Sequence, residues 1–357
     1  MERASGVLMP VSSLPGPYGI GGFGWNAYDF VDFLASCKQH YWQILPLTTT
    51  SYGDSPYQSF SARAGNPNLS TLPSLSKQGI WSSAISMACI WDPTPAMSTT
   101  VLSLAAAVRF STAPPSALPP TSQPISMTYP ANEDWLIPYC EFMTVKEECG
   151  LKAFWEWPAE LRTRGEASAK VCADHPERML YHQMTQYFFD HQWSRLKAYA
   201  NERDILIIGD LPIYVSRDSV EMWATPELFK IDAAGNPVSV AGTPPDQFSA
   251  TGQYWGNPIY DWDAMEADGF SWWEGRIRAA LDMYDVIRLD HFRGFEAYWE
   301  VPFSSPDSSY GSWTQGPGLK LFKTLEEKLG TLPIIAEDLA SSPPASSTCA
   351  TTRASPA

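Results

Sequence analysis

The stretch Tyr284-Asp285-Val286-Ile287-Arg288-Leu289-Asp290-His291-Phe292-Arg293-Gly294 carries the strongest structural signal in the chain. Its apolar centre predicts a short buried strand that ends abruptly in charged residues. In parallel α/β proteins, polar side chains that do chemistry are displayed at the C-terminal ends of strands. Asp290 has Arg288 and Arg293 beside it in sequence, and two guanidinium groups are expected to lower its pKa and keep it ionised, which suits a nucleophile. An ion pair that only caps the strand is the alternative.

A second strand of the same kind favours the catalytic interpretation. In Leu332-Pro333-Ile334-Ile335-Ala336-Glu337-Asp338, an apolar run leads directly into two carboxylates. Carboxylates at the ends of consecutive parallel strands would project into one cavity. A retaining glycoside-cleaving enzyme needs such a pair, roughly 5–5.5 Å apart, so that one carboxylate attacks the anomeric carbon while the other protonates the leaving oxygen.

The runs Arg288-Leu289-Asp290-His291-Phe292-Arg293-Gly294 and Ala336-Glu337-Asp338-Leu339 resemble the amylomaltases, the 4-α-glucanotransferases of glycoside hydrolase family 77. The resemblance implies that Asp290 is the nucleophile, that Glu337 is the general acid/base, and that Arg288 positions Asp290 and holds it ionised. It implies transfer of a 1,4-α-D-glucan segment to the 4-hydroxyl of an acceptor through a covalent glucosyl-enzyme. The partners would be maltooligosaccharides or other α-1,4-glucans, with glucose as an acceptor, and no metal or organic cofactor would be needed.

Other regions carry the same resemblance and supply the candidate substrate-binding residues. Residues 52–59 read as a loop from their Gly, Ser and Pro content, and residues 241–258 as a long Gly/Pro loop typical of an active-site lid. Residues 205–214 predict a strand with Asp210 near its end, where the carboxylate supports the substrate or the catalytic pair, or caps the loop. The candidate substrate-binding residues are Tyr57, Asp210, Asp246, Phe248, Gln253, Trp255, Asn257 and His291.

The run 177–201 predicts a long amphipathic helix that precedes the Asp210 strand. Its expected apolar side consists of Leu180, Met184, Tyr187, Phe188, Leu196 and Tyr199. A helix followed by an apolar strand is the repeating unit of a parallel α/β protein. The same order recurs where residues 272–284 precede the Asp290 strand and residues 318–329 precede the Glu337 strand.

The resemblance implies a (β/α)8 TIM-type barrel with subdomain insertions. About five barrel strands can be counted before residue 340, which predicts that the chain is truncated after about the fifth strand. We expect residues 1–339 to form the catalytic barrel, with an atypical low-charge insertion at 71–131 and a disordered Ala/Ser/Thr/Pro-rich tail at 340–357. A stretch translated out of frame would have a similar composition. No residue matches the family's third carboxylate, so a non-catalytic α-glucan-binding remnant and a hydrolase stay open as alternatives.

A formal G-x-G-x-x-G at Gly19, Gly21 and Gly24 raises a nucleotide-binding alternative. That reading requires a tight strand–turn–helix and an acidic residue at the end of the next strand. Pro15 and Pro17 lengthen the turn, and residues 41–47 end without a carboxylate. The pattern therefore disfavours a dinucleotide site.

Bulk properties exclude several classes of partner. With 24 Lys and Arg against 39 Asp and Glu, the 357-residue chain has a net charge of −15, which argues against nucleic acid and anionic membranes. Its six cysteines lack regular spacing, which indicates reduced thiols rather than disulfides or a zinc site. Neither a signal peptide nor an apolar span is recognisable. We therefore expect a cytoplasmic protein.

Overall fold

The computed structural model describes residues 3–17, 19–71 and 134–337. The predicted tail at 340–357, and the predicted low-charge insertion at 71–131 apart from its first residue, lie outside the described residues. Within these ranges, no helix combines the length and the apolar character needed to cross a bilayer. Cys37, Cys140, Cys149 and Cys172 are free thiols, and the remaining two cysteines lie outside the described ranges.

The described residues alternate between strands and helices for most of their length. In chain order, the strands are β1 (Gly6–Leu8), β2 (Tyr41–Gln43), β3 (Leu206–Leu211), β4 (Ser239–Thr243), β5 (Gln253–Pro258), β6 (Val286–Leu289), β7 (Ala297–Pro302), β8 (Ser312–Gln315) and β9 (Ile334–Ala336). The α-helices are α1 (Trp25–Ser36), α2 (Leu136–Glu148), α3 (Glu166–Asp174), α4 (Pro176–Asn201), α5 (Val220–Ala224), α6 (Trp262–Ala267), α7 (Ser271–Met283) and α8 (Gly318–Leu329).

Five strands form a parallel sheet in the order β1-β2-β3-β6-β9. Helices α4, α7 and α8 each lead directly into the next strand, as the helix–strand repeat predicts. The register places Asp210 opposite Arg288, and Leu289 opposite Ala336. Because parallel strands share direction, the residues that follow β6 and β9 emerge at one edge of the sheet, together with the end of β3.

A second, antiparallel sheet has the order β5-β4-β7-β8. Its first two strands occupy both ends of the stretch 241–258, so the prediction of one continuous loop there is wrong. Only residues 244–252 connect β4 to β5. Neither strand alternates between buried and exposed residues, and both contain glycine, so the sequence lacks the usual signal of a hairpin.

The core lies between the parallel sheet and the helices that pack on it. Ile207, Ile287 and Leu289 on the central strands are fully buried. The indole of Trp193 on α4 packs in the same core and donates its Nε1 hydrogen to the carbonyl oxygen of Met283 at the end of α7, at 2.9 Å. Burial of such side chains fixes the two helices against the strands that carry the acidic residues.

The buried side of α4 is more polar than its sequence predicts. Met184 and Leu196 are buried as expected, whereas Tyr187 and Phe188 are only partly buried. Gln186 bonds to both the N–H and the carbonyl of Gly65, at 2.7 and 2.9 Å, and Gln192 bonds to the N–H and carbonyl of Thr71, at 2.8 and 3.3 Å. Two buried glutamines therefore replace part of the predicted apolar face, because each satisfies a backbone unit more than 100 positions away in sequence.

The glycine-rich loop before α1 is packed on its own backbone. A Cβ atom at Gly21 would lie 2.2 Å from the carbonyl oxygen of Val11, a distance that no side chain tolerates. The Gly21 N–H donates to the carbonyl of Ser12 at 2.9 Å. Close backbone approach explains this glycine without a phosphate ligand.

Candidate active site

Arg288 lies among three carboxylates at the C-terminal edge of the parallel sheet. Its Nη1 donates to Oδ1 of Asp210 at 2.6 Å. Its Nη2 lies 3.2 Å from Oδ1 of Asp290 and also donates to Oε1 of Glu337. The parallel register brings these groups together, because Asp210 sits beside Arg288 and the other two follow neighbouring strands. The predicted convergence of Asp290 and Glu337 is thus seen in the structure.

The prediction of a lowered pKa for Asp290 is wrong. Burial, followed by the negative charges of Asp210 and Glu337, raises the pKa of Asp290 to about 7. One guanidinium, that of Arg288, faces three carboxylates and opposes this rise only in part. Asp290 and Glu337 are also within hydrogen-bonding reach of each other, so this group of carboxylates retains a proton close to neutral pH.

Arg293 does not flank Asp290 as its place in the sequence suggested. Its guanidinium carbon lies 3.9 Å from the centre of the Trp313 ring on β8. A short 3-10 turn, Phe292–Phe295, follows His291 and directs the side chain towards the antiparallel sheet. The second guanidinium expected at the nucleophile is therefore used for packing between the two sheets.

Asp210 is held from two sides in a buried position. Its side chain is 1% exposed; Oδ2 accepts a hydrogen bond from the Tyr57 hydroxyl at 2.7 Å, while Oδ1 bonds Arg288. Burial raises the pKa of Asp210, and burial together with the bond to Asp210 raises the pKa of Tyr57, so that its hydroxyl stays protonated. Tyr57 therefore acts as a permanent donor that ties the loop at 52–59 to the end of β3.

His291 closes the site beside Glu337. Its backbone N–H donates to Oε2 of Glu337 at 2.8 Å, from a left-handed conformation with φ of 50°. Its imidazole packs edge-on against Trp255, with ring centres 4.9 Å apart, and burial lowers its pKa to about 4. A Cβ atom at Gly294 would lie 2.8 Å from Cδ2 of His291, so glycine is needed there for the ring to fit. The imidazole is consequently a neutral hydrogen-bonding group at physiological pH.

An open cavity of about 340 Å³ lies beside Asp290. It is lined by Ser55, Tyr57, Gln58, Pro212, Ile213, Tyr214, Trp255, Asn257, Asp290 and His291. This volume falls in the usual range for small-molecule sites, and the mixture of aromatic faces with amide, hydroxyl and carboxylate groups is suited to a sugar. Four of the predicted substrate residues thus line the cavity, and Asp210 lies directly behind Tyr57.

The other three predicted substrate residues lie on the connection between β4 and β5 or at its end. Oδ1 of Asp246 accepts hydrogen bonds from the N–H groups of Phe248 and Ser249, both at 2.8 Å, and so stabilises a turn. The Phe248 side chain is 89% exposed. Gln253 accepts a hydrogen bond from Nε1 of Trp255 at 3.0 Å, so it contacts the cavity wall indirectly. The structure does not bring these three residues to the catalytic group.

Sequence reasoning missed Gln58 and Tyr214 in the wall of the cavity. Nε2 of Gln58 donates to Oδ1 of Asn257 at 3.3 Å, which joins the loop at 52–59 to β5, a strand that is distant in sequence. Tyr214 follows the same strand as Asp210 and therefore emerges at the same edge of the sheet. Its position just beyond a strand-terminal carboxylate was the available signal.

Comparison with known proteins agrees with this geometry. The family model described as 4-alpha-glucanotransferase matches residues 9–355 and so extends across both stretches that lie outside the described residues. The chain is 47% identical over 352 residues to the 4-alpha-glucanotransferase of Streptococcus pneumoniae, covering 95% of this chain and 68% of that protein. It is 43% identical over 347 residues to the Thermus thermophilus enzyme, with the same two coverages.

A solved structure, that of the Streptococcus agalactiae amylomaltase in complex with acarbose, superposes with a TM-score of 0.86 at 43% identity. The match covers 98% of this chain and 72% of that one. This close superposition on an amylomaltase confirms the predicted (β/α)8 fold class. The truncation after about the fifth strand stays a prediction. The chain is a member of the 4-α-glucanotransferase family, glycoside hydrolase family 77.

Proposed function

We propose that this chain transfers a segment of a 1,4-α-D-glucan to the 4-hydroxyl of an acceptor glucose or glucan, with Asp290 as nucleophile and Glu337 as general acid/base. The observation that carries the assignment of residues is the shared contact of both carboxylates with Nη2 of Arg288. That contact joins two strand-terminal carboxylates at one side of a sugar-sized cavity. Family membership supplies the reaction, and the site supplies the candidates for each role.

The spacing of the two carboxylates favours retention of configuration. Two oxygens that contact the same nitrogen lie no further apart than about twice a hydrogen-bond length, or roughly 6 Å, whereas inverting enzymes separate their carboxyl groups by roughly 6.5–9.5 Å to admit a water molecule. This spacing is of the close kind that a double displacement requires. A covalent intermediate on Asp290 is the chemistry that this spacing accommodates.

In the first half-reaction, an oxygen of Asp290 attacks the anomeric carbon of the donor. The bond between that carbon and the glycosidic oxygen breaks, and Glu337 gives its proton to the departing 4-oxygen. In the second half-reaction, the ionised Glu337 takes the proton of the acceptor 4-hydroxyl, whose oxygen attacks the same carbon and releases Asp290. The inversions cancel, the α-linkage is re-formed, and Glu337 regains its proton.

The raised pKa of Asp290 sets the protonation state from which this cycle starts. Because the free site retains a proton up to about pH 7, Asp290 and Glu337 together hold the one proton that the first step consumes. Arg288 contacts both groups, so it can stabilise the negative charge on whichever carboxylate is ionised. We propose that substrate entering the cavity separates the two carboxyl groups and leaves the proton on Glu337.

The walls of the cavity supply the contacts that hold a glucosyl unit. Trp255 and Tyr57 offer ring faces, while Asn257 and the neutral imidazole of His291 offer polar groups. Asp246, Phe248 and Gln253 are proposed to meet a longer glucan when the connection between β4 and β5 moves towards the cavity. The similar amylomaltase from Streptococcus agalactiae was solved with acarbose, which supports an oligosaccharide as the occupant here.

Incubation of the purified chain with maltotriose tests the reaction. We expect glucose together with maltooligosaccharides longer than the substrate, resolved by anion-exchange chromatography. Glucose and maltose without longer products would identify a hydrolase, and saturable maltotriose binding without turnover would identify a binding protein. Either result would overturn the proposed transfer.

Azide rescue tests the two roles separately. In Glu337→Ala, azide should intercept the glucosyl-enzyme and yield an α-glycosyl azide, because two inversions occur. In Asp290→Ala, azide should replace the nucleophile in a single inversion and yield a β-glycosyl azide. A β-glycosyl azide from Glu337→Ala and an α-glycosyl azide from Asp290→Ala would instead make Glu337 the nucleophile and Asp290 the general acid/base. A fluoride leaving group on the donor keeps the first step independent of the acid.

We further propose a cytoplasmic location, where thiols stay reduced. The four free cysteines in the described part of the chain support it. Fractionation of cells with an antibody to the chain tests this directly, and recovery from the periplasm or medium would contradict it.

A further inference from the structure

Arg276 on α7 is a buried cation that the catalytic scheme does not use. Its side chain is 3% exposed, and no described carboxylate lies within ion-pairing distance. Instead, its Nη2 donates to the carbonyl of Pro212 at 2.7 Å and its Nη1 to the carbonyl of Ile213 at 2.9 Å. The guanidinium is therefore bound mainly to backbone.

Burial of this group carries a large free-energy cost. Removing a charge from water without an ionic partner costs several kcal/mol in proteins, and burial lowers the pKa of Arg276 accordingly. The indoles of Trp272 and Trp273, with ring centres 5.2 and 5.0 Å from the guanidinium carbon, offset part of that cost. A leucine or methionine would avoid the cost of the buried charge but would remove the donor to the carbonyls of Pro212 and Ile213, so the arginine is explained by the backbone that it holds.

The backbone that Arg276 holds is one wall of the sugar-sized cavity. Residues 212–214 follow Asp210 on β3 and line the cavity directly, whereas Arg276 does not line it. The Tyr260 hydroxyl also donates to the carbonyl of Ile213, at 2.9 Å, and Nδ2 of Asn257 donates to the carbonyl of Val215, at 2.7 Å. Carbonyls that would otherwise be free after the strand ends are thus occupied by side chains of other elements.

Two further charged residues, Glu221 and Arg63, lie near Arg276 and influence its pKa. Glu221, buried on α5, accepts a hydrogen bond from the N–H of Ala62 at 2.8 Å and influences the pKa of Arg276 without pairing with it. Arg63 is the other nearby charge, and its repulsion further lowers the pKa of Arg276. The buried cation therefore holds the backbone that follows Asp210, and the buried anion holds the backbone of Ala62, which follows the loop that carries Tyr57.

We propose that Arg276 is a positioning residue that fixes residues 212–215 as the glucan-binding wall. This inference rests on the proposed function of the cavity. Loss of the guanidinium should let the wall relax, which weakens substrate binding and alignment. The shared proton of Asp290 and Glu337 should be unaffected, because Arg276 contacts neither carboxylate.

The test compares Arg276→Met, Arg276→Lys and the matched control Arg278→Met. Arg278 lies on the same helix, is 59% exposed at its side chain and pairs with Glu274 at 2.8 Å. For maltotriose transfer, we expect Arg276→Met to raise KM on the order of ten- to a hundredfold, with a smaller loss of kcat and an unchanged pH profile. Arg276→Lys, which keeps one donor for the Pro212 carbonyl, should recover part of the loss. The control should resemble the wild type.

Hydrogen exchange of the peptide containing residues 212–215 provides a readout that does not depend on turnover. Arg276→Met should accelerate exchange there relative to Arg278→Met, with peptides from β1 and β2 unchanged. If the folded variant shows wild-type KM and wild-type exchange in this segment, the positioning role is overturned. If exchange accelerates but the wild type neither binds nor converts maltotriose, the proposed function fails while the structural role of Arg276 stands. Should Arg276→Met not fold, the same comparisons apply to Arg276→Lys.

Discussion

Two aspartates at opposite ends of β6 lie in contrasting environments. Before the strand, Asp285 accepts hydrogen bonds from the N–H of Ile207 at 2.7 Å and from Nδ2 of Asn201 at 2.9 Å, and Lys197 lies 3.6 Å away. After the strand, Asp290 shares one guanidinium with two other carboxylates, and its pKa is raised to about 7. Asp285 therefore has several donors of its own, whereas Asp290 shares the single guanidinium of Arg288 with Asp210 and Glu337.

The difference separates stability from chemistry along a single strand. A carboxylate with dedicated hydrogen-bond donors, such as Asp285, stabilises the fold through those bonds. A carboxylate held near like charges destabilises the fold when it ionises, and that unfavourable energy is what a reaction can release when a bond forms at the oxygen. In parallel barrels, the N-terminal end of a strand serves stability and the C-terminal end serves catalysis.

The largest expected effect is on activity. Asp290→Asn should lower kcat/KM for maltotriose transfer on the order of 10⁴-fold or more, because the amide is not a nucleophile. Asp285→Asn, the matched change at the other end of the strand, should stay within about tenfold of the wild type at 20 °C. Steady-state product analysis at equal folded concentration measures both. Equal losses in the two variants would contradict the division of roles.

A smaller effect is expected from Arg288→Met. The change leaves three carboxylates without their shared cation, so kcat should fall about 10²–10³-fold through lost electrostatic stabilisation. The basic limb of the pH profile should also move to higher pH, because loss of a nearby positive charge raises carboxyl pKa values. A variant with reduced kcat but an unshifted profile would show that Arg288 acts on geometry alone.

The pH dependence of the wild type follows from the raised pKa of Asp290. Above about pH 7 the site loses the proton that the acid step needs, so kcat/KM should fall by about tenfold per pH unit. A maltosyl fluoride donor, whose leaving group needs no proton, provides the control. Its single-turnover glycosylation rate should not fall over the same range. A basic limb retained with the fluoride would place the titration elsewhere.

The smallest effect concerns stability and has opposite signs at the two ends of β6. A group whose folded pKa is raised destabilises the fold as pH rises from its unfolded pKa, near 4, towards about 7. Asp290→Asn should therefore stabilise the protein at pH 8 by about 1–2 kcal/mol after allowance for solvent screening, and the gain should vanish near pH 4. Asp285→Asn should cost about 1–2 kcal/mol through weakened charged hydrogen bonds. Differential scanning calorimetry at pH 8 and pH 4 measures the stability of both variants. A gain in both, or a loss in both, at pH 8 would contradict the prediction.

The catalytic strands were predictable because their signal is local. A short apolar run followed by charge specifies both the strand and the end at which its side chains emerge, and β6 and β9 match that prediction. The raised pKa of Asp290 was not predictable, because it depends first on burial and then on Asp210, which lies 80 positions earlier and meets Arg288 only through strand register. The direction of the Arg293 side chain likewise depended on a tertiary partner, Trp313.

The prediction of the apolar side of α4 was partly wrong for the same reason, namely that burial depends on tertiary partners. Periodicity assigns Tyr187 and Phe188 to the apolar side, yet both are only partly buried. Gln186 and Gln192 are buried instead, because their partners are backbone groups of residues 65 and 71. The antiparallel sheet was missed because glycine and proline at its strand ends resemble loop composition. The roles of Asp246, Phe248 and Gln253 stay predictions, since the structure places them outside the cavity wall.

The two glutamines of α4 have a consequence for how this family can diversify. An amide side chain that pairs with a backbone N–H and carbonyl does not depend on the side chain carried by that residue, so the contact of Gln192 with the backbone of Thr71 places few demands on the identity of residue 71. At Gly65 the demand comes from packing instead, because a Cβ atom there would lie 2.3 Å from the ring of Phe189. Closing a longer loop costs only about 0.6 kcal/mol for each doubling of its length, so an anchor such as the one at Thr71 separates the residues before it from changes in the length of a connection after it. The contact between Gln192 and the backbone of Thr71 therefore keeps such changes from displacing Tyr57 and the loop at 52–59.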